Sequence, residues 1–201
     1  MTTYATLKTD VATYLHKSSL TSVIPTFVRL AEARIRNDVR VPAMQSSIDL
    51  TVSSESVSLP ANFLDPIRLY VDEPYKREIL FRPPSVFHRS NQKELSGTPE
   101  IVTIEGQNML FAPVPTSSAT VKLLYWAAFD QLSADSDTNW LMTYHYPVYL
   151  YATCAEGAAY LEDDQQAQKW GQQYAQSVAM LSRRSKWAVS VSPMTKMAEG
   201  Y

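Results

Sequence analysis

The spacing of apolar residues changes twice along the chain, and this change most restricts the possible folds. Apolar residues recur every three or four positions at both ends of the chain, but they alternate singly in short segments between about residues 46 and 129. Clusters of proline, glycine and serine separate those middle segments, as turns separate strands. The pattern predicts an α+β fold, in which a bundle of about four helices carries an inserted small, mostly antiparallel β-sheet module.

The predicted boundaries follow from the same pattern. N-terminal helices of the bundle occupy 1–45, the β-rich insertion 46–129, C-terminal helices 130–186, and an extended tail 187–201. The four helices are predicted to begin near Thr2 or Thr3, Thr21 or Ser22, Pro147 and Asp163. Strands are predicted at 48–52, 57–59, 67–71, 78–82, 100–104, 109–112 and 119–126, with one or two helical turns within 84–94.

The second helix carries a row of charged residues opposite its apolar face. This row contains Arg29, Glu32, Arg36 and Arg40, and Glu32 precedes Arg36 by four positions, the favourable order for an ion pair on a helix. We expect a solvated face, and the alternative is a contact with a neighbouring subunit. Tyr149 and Tyr151 of the third helix are further candidates for subunit contacts, because tyrosine is enriched at protein interfaces.

The segment 143–166 contains a histidine, the chain's single cysteine and several carboxylates, which suggests a catalytic site. His145 and Cys154 are nine residues apart, however, and a helical advance of about 100° per residue places them about 180° apart. Cys154 is therefore interpreted as a small buried hydrophobic residue beside a seam of alanines. Glu162, Asp163 and Asp164 are interpreted as caps of the following helix.

Composition argues against several classes of function. A net charge of −2 provides no overall positive field for nucleic-acid binding, and one cysteine cannot form an intramolecular disulfide. The first thirty residues lack a signal-peptide pattern, and no apolar run approaches the about 20 residues that span a bilayer. Phosphate loops, nucleophile elbows and metal-binding motifs are also missing. We therefore expect a soluble protein, assembled in the cytoplasm, without catalytic residues, cofactor or metal.

Three stretches, taken in order, resemble the head-to-tail adaptor proteins of tailed bacteriophages, the tail tubular protein A or tail accessory type of short-tailed phages. The first is FVRLAEARIRNDVRVPAMQ and the second is SLPANFLDPIRLYV. The third runs from SGTPEIVTIEGQNMLFAPVP through VKLLYWAAFDQL to NWLMTYHYPVYLYATCAEGAAYLEDDQQAQKW. The resemblance covers roughly residues 20 to 185. It implies a structural virion protein that forms a ring, typically of twelve copies, between the portal protein and the nozzle or tail hub. Double-stranded DNA would pass through the ring during ejection without specific binding.

The resemblance also implies that the C-terminal segment reaches the portal. On this chain that role falls on the predicted tail, whose candidate contact residues are Trp187, Val189, Val191, Met194, Met197 and Tyr201. Two alternatives remain open from the sequence: a virion-associated cell-wall hydrolase, which requires two converging carboxylates, and a nucleic-acid-binding packaging regulator.

Overall fold

The computed structural model describes residues 2–71, 77–90 and 95–190, and for Ser18 and 185–190 it describes the backbone alone. The elements of the first half are α1 (Tyr4–Tyr14), α2 (Ile24–Asp38), β1 (Gln45–Val52), β2 (Ser56–Ser58), β3 (Phe63–Val71), β4 (Arg77–Glu78), β5 (Leu80–Phe81) and α3 (Pro84–Phe87). Those of the second half are β6 (Ile101–Glu105), β7 (Asn108–Ala112), β8 (Ala119–Ala127), α4 (Trp140–Tyr144), α5 (Tyr146–Tyr160) and α6 (Asp164–Ser190). The predicted α+β fold class is confirmed.

The chain divides into two compact units. The first, called the helical unit, comprises Met1–Ala43 and Phe129–Tyr201, and the second, called the β unit, comprises Met44–Ala128. All eight strands and α3 belong to the β unit. Among the described residues, every helix is too short or too polar to cross a lipid bilayer.

Helix α5 is the centre of the helical unit. Nine of its fifteen residues are buried, and α1, α2, α4 and α6 all pack against it. The side chain of Leu15 packs directly against Gly157, where an added Cβ would lie 2.5 Å from Leu15 Cδ1. The predicted alanine seam is buried at Ala152 and Ala155 but exposed at Ala159, which lies in the last turn of the helix.

Helix starts follow the local signals in the sequence. The Thr3 hydroxyl accepts a hydrogen bond from Thr6 N–H (3.4 Å), Pro147 lies in the first turn of α5, and Asp163 Oδ1 accepts from Gln166 N–H (3.0 Å). Asp163 is thus the N-cap of α6, as predicted. Glu162 is not a cap, because its φ of 57° makes it the left-handed residue that turns the chain between α5 and α6.

Two helical features differ from the prediction. The short helix α4 was not predicted, because its five residues contain too few turns for an apolar period to show. Helix α6 continues to Ser190, so the predicted tail does not begin at 187. Residues 191–201 lie outside the described residues.

The β unit contains two four-stranded sheets, with strand orders β1-β8-β3-β4 and β2-β7-β6-β5. Strand β1 pairs antiparallel with β8 along its full length, from Gln45 opposite Trp126 to Val52 opposite Ala119. Both sheets contribute to one apolar core, which is formed by Val52, Leu69, Val71, Ile79, Val102, Met109, Phe111, Val121, Leu123 and Tyr125.

The predicted strand at 78–82 belongs to both sheets. Its first part, β4, pairs with β3, and its second part, β5, pairs in parallel with β6. Ile79 lies between the two parts, where its side chain is buried and its N–H donates to Leu69 O (2.9 Å). A strand that passes from one sheet to the other forms the corner between them. The expected single, mostly antiparallel sheet is therefore two sheets with one parallel pair.

Strand β3 begins four residues before the predicted start at Ile67. Proline disfavours a strand interior because it cannot donate a ladder hydrogen bond, and the sequence prediction therefore stopped at Pro66. The structure accommodates Pro66 through a shift in register against β8 between Pro66 and Arg68.

The cap of α6 gives a test of the helical unit. Asp163→Ala removes the acceptor for Gln166 N–H, and we expect the free energy of unfolding to fall by about 1 kcal/mol in urea denaturation. Asp164→Ala, in the first turn, is the matched control and should cost only a few tenths of a kcal/mol, roughly 0.3, through the helix dipole. Equal losses for the two variants would contradict the capping role.

Candidate functional site

The charged row predicted on the second helix is divided between the surface and the interior, and Arg40 lies beyond α2, because the backbone is already extended at Val39. Arg29 is exposed, whereas Arg36 and Arg40 are half-buried and Glu32 is 0% exposed. The expectation of a solvated face is therefore wrong for Glu32. Glu32 belongs to the interior of its own subunit and offers no surface to a neighbour.

Glu32 is the acceptor of a buried hydrogen-bond network. Its Oε1 accepts from Leu132 N–H (3.0 Å) and from the Tyr149 hydroxyl (3.2 Å). The same hydroxyl accepts from Asn139 Nδ2 (2.8 Å). The network joins α2 to α5 and to the segment that leads from the β unit into α4.

Asn139 has a second role as the N-cap of α4. Its Oδ1 accepts from Met142 N–H (2.9 Å), while its Nδ2 also donates to Asp130 O (2.8 Å). One amide side chain thereby fixes both the start of α4 and the preceding loop. The sequence contained a local signal for this residue, an asparagine directly before a helical turn, but its bond to Tyr149 depends on the fold.

Burial controls the electrostatics of the network. Loss of hydration raises the pKa of the Glu32 carboxyl, against the hydrogen bonds from Leu132 and Tyr149 and the positive charge of Arg36. Burial also raises the pKa of the Tyr149 phenol, and the nearby Glu32 adds to that shift. Among the described residues, Glu32 Oε2 and Arg36 Nε are buried atoms without a hydrogen-bond partner. The charged form of Glu32 is therefore only partly compensated.

The three arginines of the predicted row differ in their surroundings. The guanidinium carbon of Arg36 lies 5.9 Å from the centre of the Phe129 ring, and Arg40 donates to Val39 O (2.8 Å) and to Arg36 O. Arg29 donates to the Thr26 hydroxyl (3.3 Å) and extends into solvent. Arg29 is therefore the most exposed of the α2 residues considered for subunit contacts.

The two candidate tyrosines differ in how far their side chains are exposed. Tyr149 is 0% exposed, so its side chain stabilises the fold and cannot form part of a contact surface. Tyr151 is half-buried and stacks on Trp170, with ring centres 5.8 Å apart. Tyr151 stays a predicted contact residue with accessible surface.

The candidate portal-binding residues lie at or beyond the end of the described chain. Trp187 and Val189 are in the last turns of α6, within the stretch for which the backbone alone is described. Val191, Met194, Met197 and Tyr201 lie outside the described residues.

Local chemistry does not favour nucleophilic catalysis at Cys154. The thiol is fully buried, and burial raises its pKa to about 12, which keeps it protonated and unreactive at neutral pH. Its interpretation as a small buried residue is confirmed. Burial and the positive charge of Arg184 lower the pKa of His145. Within the described ranges, histidine, cysteine and carboxylate side chains form no group of three suited to a metal ion.

The family model described as SU10 adaptor protein matches residues 2–195. The chain belongs to the SU10 adaptor protein family. The adaptor resemblance predicted from the sequence is confirmed. SU10 adaptors are structural phage proteins and components of the virion, and the family is not an enzyme family. No curated protein matches the chain.

The hydroxyl of Tyr149 gives a direct test of the network in this SU10 adaptor. Tyr149→Phe removes the acceptor of one Asn139 bond and the donor of one Glu32 bond, so we expect the free energy of unfolding to fall by about 1 to 3 kcal/mol. Tyr151→Phe is the matched control and should change it by less than about 0.5 kcal/mol. Urea denaturation of both variants measures the difference, and equal effects would contradict the network.

Glu32 should make the adaptor less stable as pH rises. Because its pKa is raised in the folded protein, the unfolded chain loses this proton first. Stability contributed by protonated Glu32 is therefore complete below the unfolded pKa, and is lost as pH rises through the folded pKa.

Glu32→Gln removes this titration and keeps an oxygen acceptor. We expect the free energy of unfolding of the variant, minus that of the wild type, to grow as pH rises from about 4 to about 8. Glu162→Gln, in the exposed turn, is the control for loss of a surface glutamate. A difference that is constant over this range would show that the pKa of Glu32 is not raised.

Proposed function

We propose that this SU10 adaptor is a head-to-tail adaptor, with twelve identical subunits forming a ring beneath the portal protein and above the nozzle or tail hub. The ring closes the packaged head and gives the genome a channel during ejection. The observation that carries the proposal is the family match, which spans residues 2–195 and therefore includes both units.

The charge of the chain is consistent with a channel that does not hold DNA. Binding to duplex DNA requires many cationic contacts to phosphate, and their strength falls steeply with salt. The chain has a net charge of −2, so a ring of such subunits has no overall positive field that would retain the phosphate backbone. DNA would therefore pass through without specific binding.

Contacts between subunits are proposed at accessible residues of the helical unit. Arg29 and Tyr151 present surface there, and the half-buried Arg40 is a third candidate. Burial removes Glu32 and Tyr149 from this set, and leaves them a role inside the subunit.

Attachment to the portal is tested by mixing the purified adaptor with portal rings of the same phage and imaging the product by electron microscopy. We expect an added ring of subunits on one face of the portal, absent from the portal alone. Failure of any association between the two proteins would overturn the adaptor position proposed here.

A pair of truncations tests the C-terminal segment. A chain that ends at Ser190 keeps all of α6, so it should fold with an unchanged thermal midpoint and lose portal attachment. A chain that ends at Lys186 also removes Trp187 and Val189. Loss of attachment in the shorter chain alone would place the contact in 187–190, and attachment by both would contradict a portal-binding role for this segment.

A further inference from the structure

The β unit has an apolar groove on its surface beside strand β5. The groove is shallow, with a volume of about 810 Å³, and its lining includes Leu80, Val86 and Leu95. These three side chains are 47%, 49% and 56% exposed, which is unusual for large apolar residues that lie together. Such a cluster on a folded unit indicates a surface that another molecule covers.

Strand β5, which contributes Leu80 to the groove, forms hydrogen bonds to β6 along one of its edges. Leu80 N–H donates to Glu100 O (2.9 Å) and Arg82 N–H to Val102 O (2.8 Å), so these residues face β6. Backbone groups alternate in direction along a strand, which points those of Phe81 away from β6. Strand β5 is the outermost strand of its sheet among the described residues. Its free edge can therefore pair with an added strand.

The charge of the groove is positive. Arg82 and Arg89 lie in its lining, and within the described part of the chain neither guanidinium is paired with a carboxylate. The acidic residue of the lining, Glu100, is engaged by Arg77, with Nη1 to Oε1 at 3.4 Å. An occupant with carboxylates would complement Arg82 and Arg89.

We propose that this β5 groove binds an extended segment of a partner protein, which joins the sheet as a strand beside β5. Residues two apart on a strand share a face, as Leu80 and Arg82 do. The partner segment therefore has an apolar residue and an acidic residue two positions apart, the first packing on Leu80 and the second pairing with Arg82 or Arg89.

A second copy of this chain does not supply that pattern through its longest described edge strand. In β1 the apolar Ile48 and the acidic Asp49 are adjacent, so they point to opposite faces of the sheet. The carboxylate of Asp49 also lies 3.5 Å from Lys122 of its own subunit. Glu78 lies two positions before Leu80, but its carboxylate is held by Arg68 Nε at 3.2 Å. We therefore assign the occupant to a different polypeptide, and the proposal does not depend on the ring or on the portal contact.

Three labelled peptides test the proposal by fluorescence anisotropy with the full-length protein. The first is acetyl-Thr-Val-Thr-Glu-Thr-Val-Thr-amide, the second has lysine in place of glutamate, and the third has valine and glutamate adjacent. We expect the first peptide to bind at least about tenfold more tightly than either of the others. Its binding should weaken as salt rises from about 0.05 M to about 0.5 M.

Substitutions of exposed residues test whether the first peptide binds in the β5 groove. Arg89→Glu and Leu80→Ser should each weaken binding of the first peptide by at least about tenfold, with unchanged circular dichroism, because both side chains contribute directly to the groove. Arg183→Glu and Met180→Ser replace an exposed arginine and an exposed methionine of α6, and should leave binding unchanged.

Several outcomes would overturn the proposal. These are absence of binding, equal affinity for all three peptides, and equal weakening by the groove and α6 variants. If Arg89→Glu abolishes self-association of the protein, the groove belongs to a second copy and the partner segment proposed here is wrong.

Discussion

The helical unit depends on one buried carboxylate that accepts two hydrogen bonds. Glu32 joins helix α2 to Tyr149 of the central helix and to the backbone at Leu132, the point where the chain returns from the β unit. A buried polar group stabilises a fold only while its partners are present, and an unpaired one costs about 1 to 3 kcal/mol. Asn139 extends the network to the start of α4. Elements more than 100 residues apart in sequence are thereby held in one arrangement.

Local features of the structure could be predicted from the sequence because their causes are local. Thr3, Pro147 and Asp163 mark helix starts through bonds or ring geometry within a few residues of each position. The apolar face of α2 was likewise predicted, and its members Phe27, Val28, Ala31 and Ile35 are buried. Glu32 could not be assigned in this way. Its residue type and spacing indicate a surface ion pair, whereas its actual partners are contributed by segments 100 and 117 residues away.

Prediction of the β unit from the sequence is limited in the same way. All seven strands predicted from the sequence overlap strands of the structure, but alternation does not specify which strands pair. The stretch 77–81 leaves one sheet and enters the other at Ile79, which no repeat in the sequence marks. The β5 groove follows from that crossing, since the exposed Leu80, Val86 and Leu95 come together only after the parallel pairing with β6 is made. The sequence pattern did not indicate that Arg82 and Arg89 belong to a binding surface.

The pairing of β1 with β8 also determines how separable the insertion is. Gln45 lies opposite Trp126, and partners in an antiparallel ladder have Cα atoms about 4.5 to 5.5 Å apart. The insertion therefore leaves and rejoins the chain through two neighbouring points, a separation that a linker of two or three residues can bridge, at about 3.3 to 3.6 Å per residue. Such an arrangement makes the β unit an exchangeable insertion: during evolution it could be replaced, and its surface with it, while the helices that carry it keep their packing.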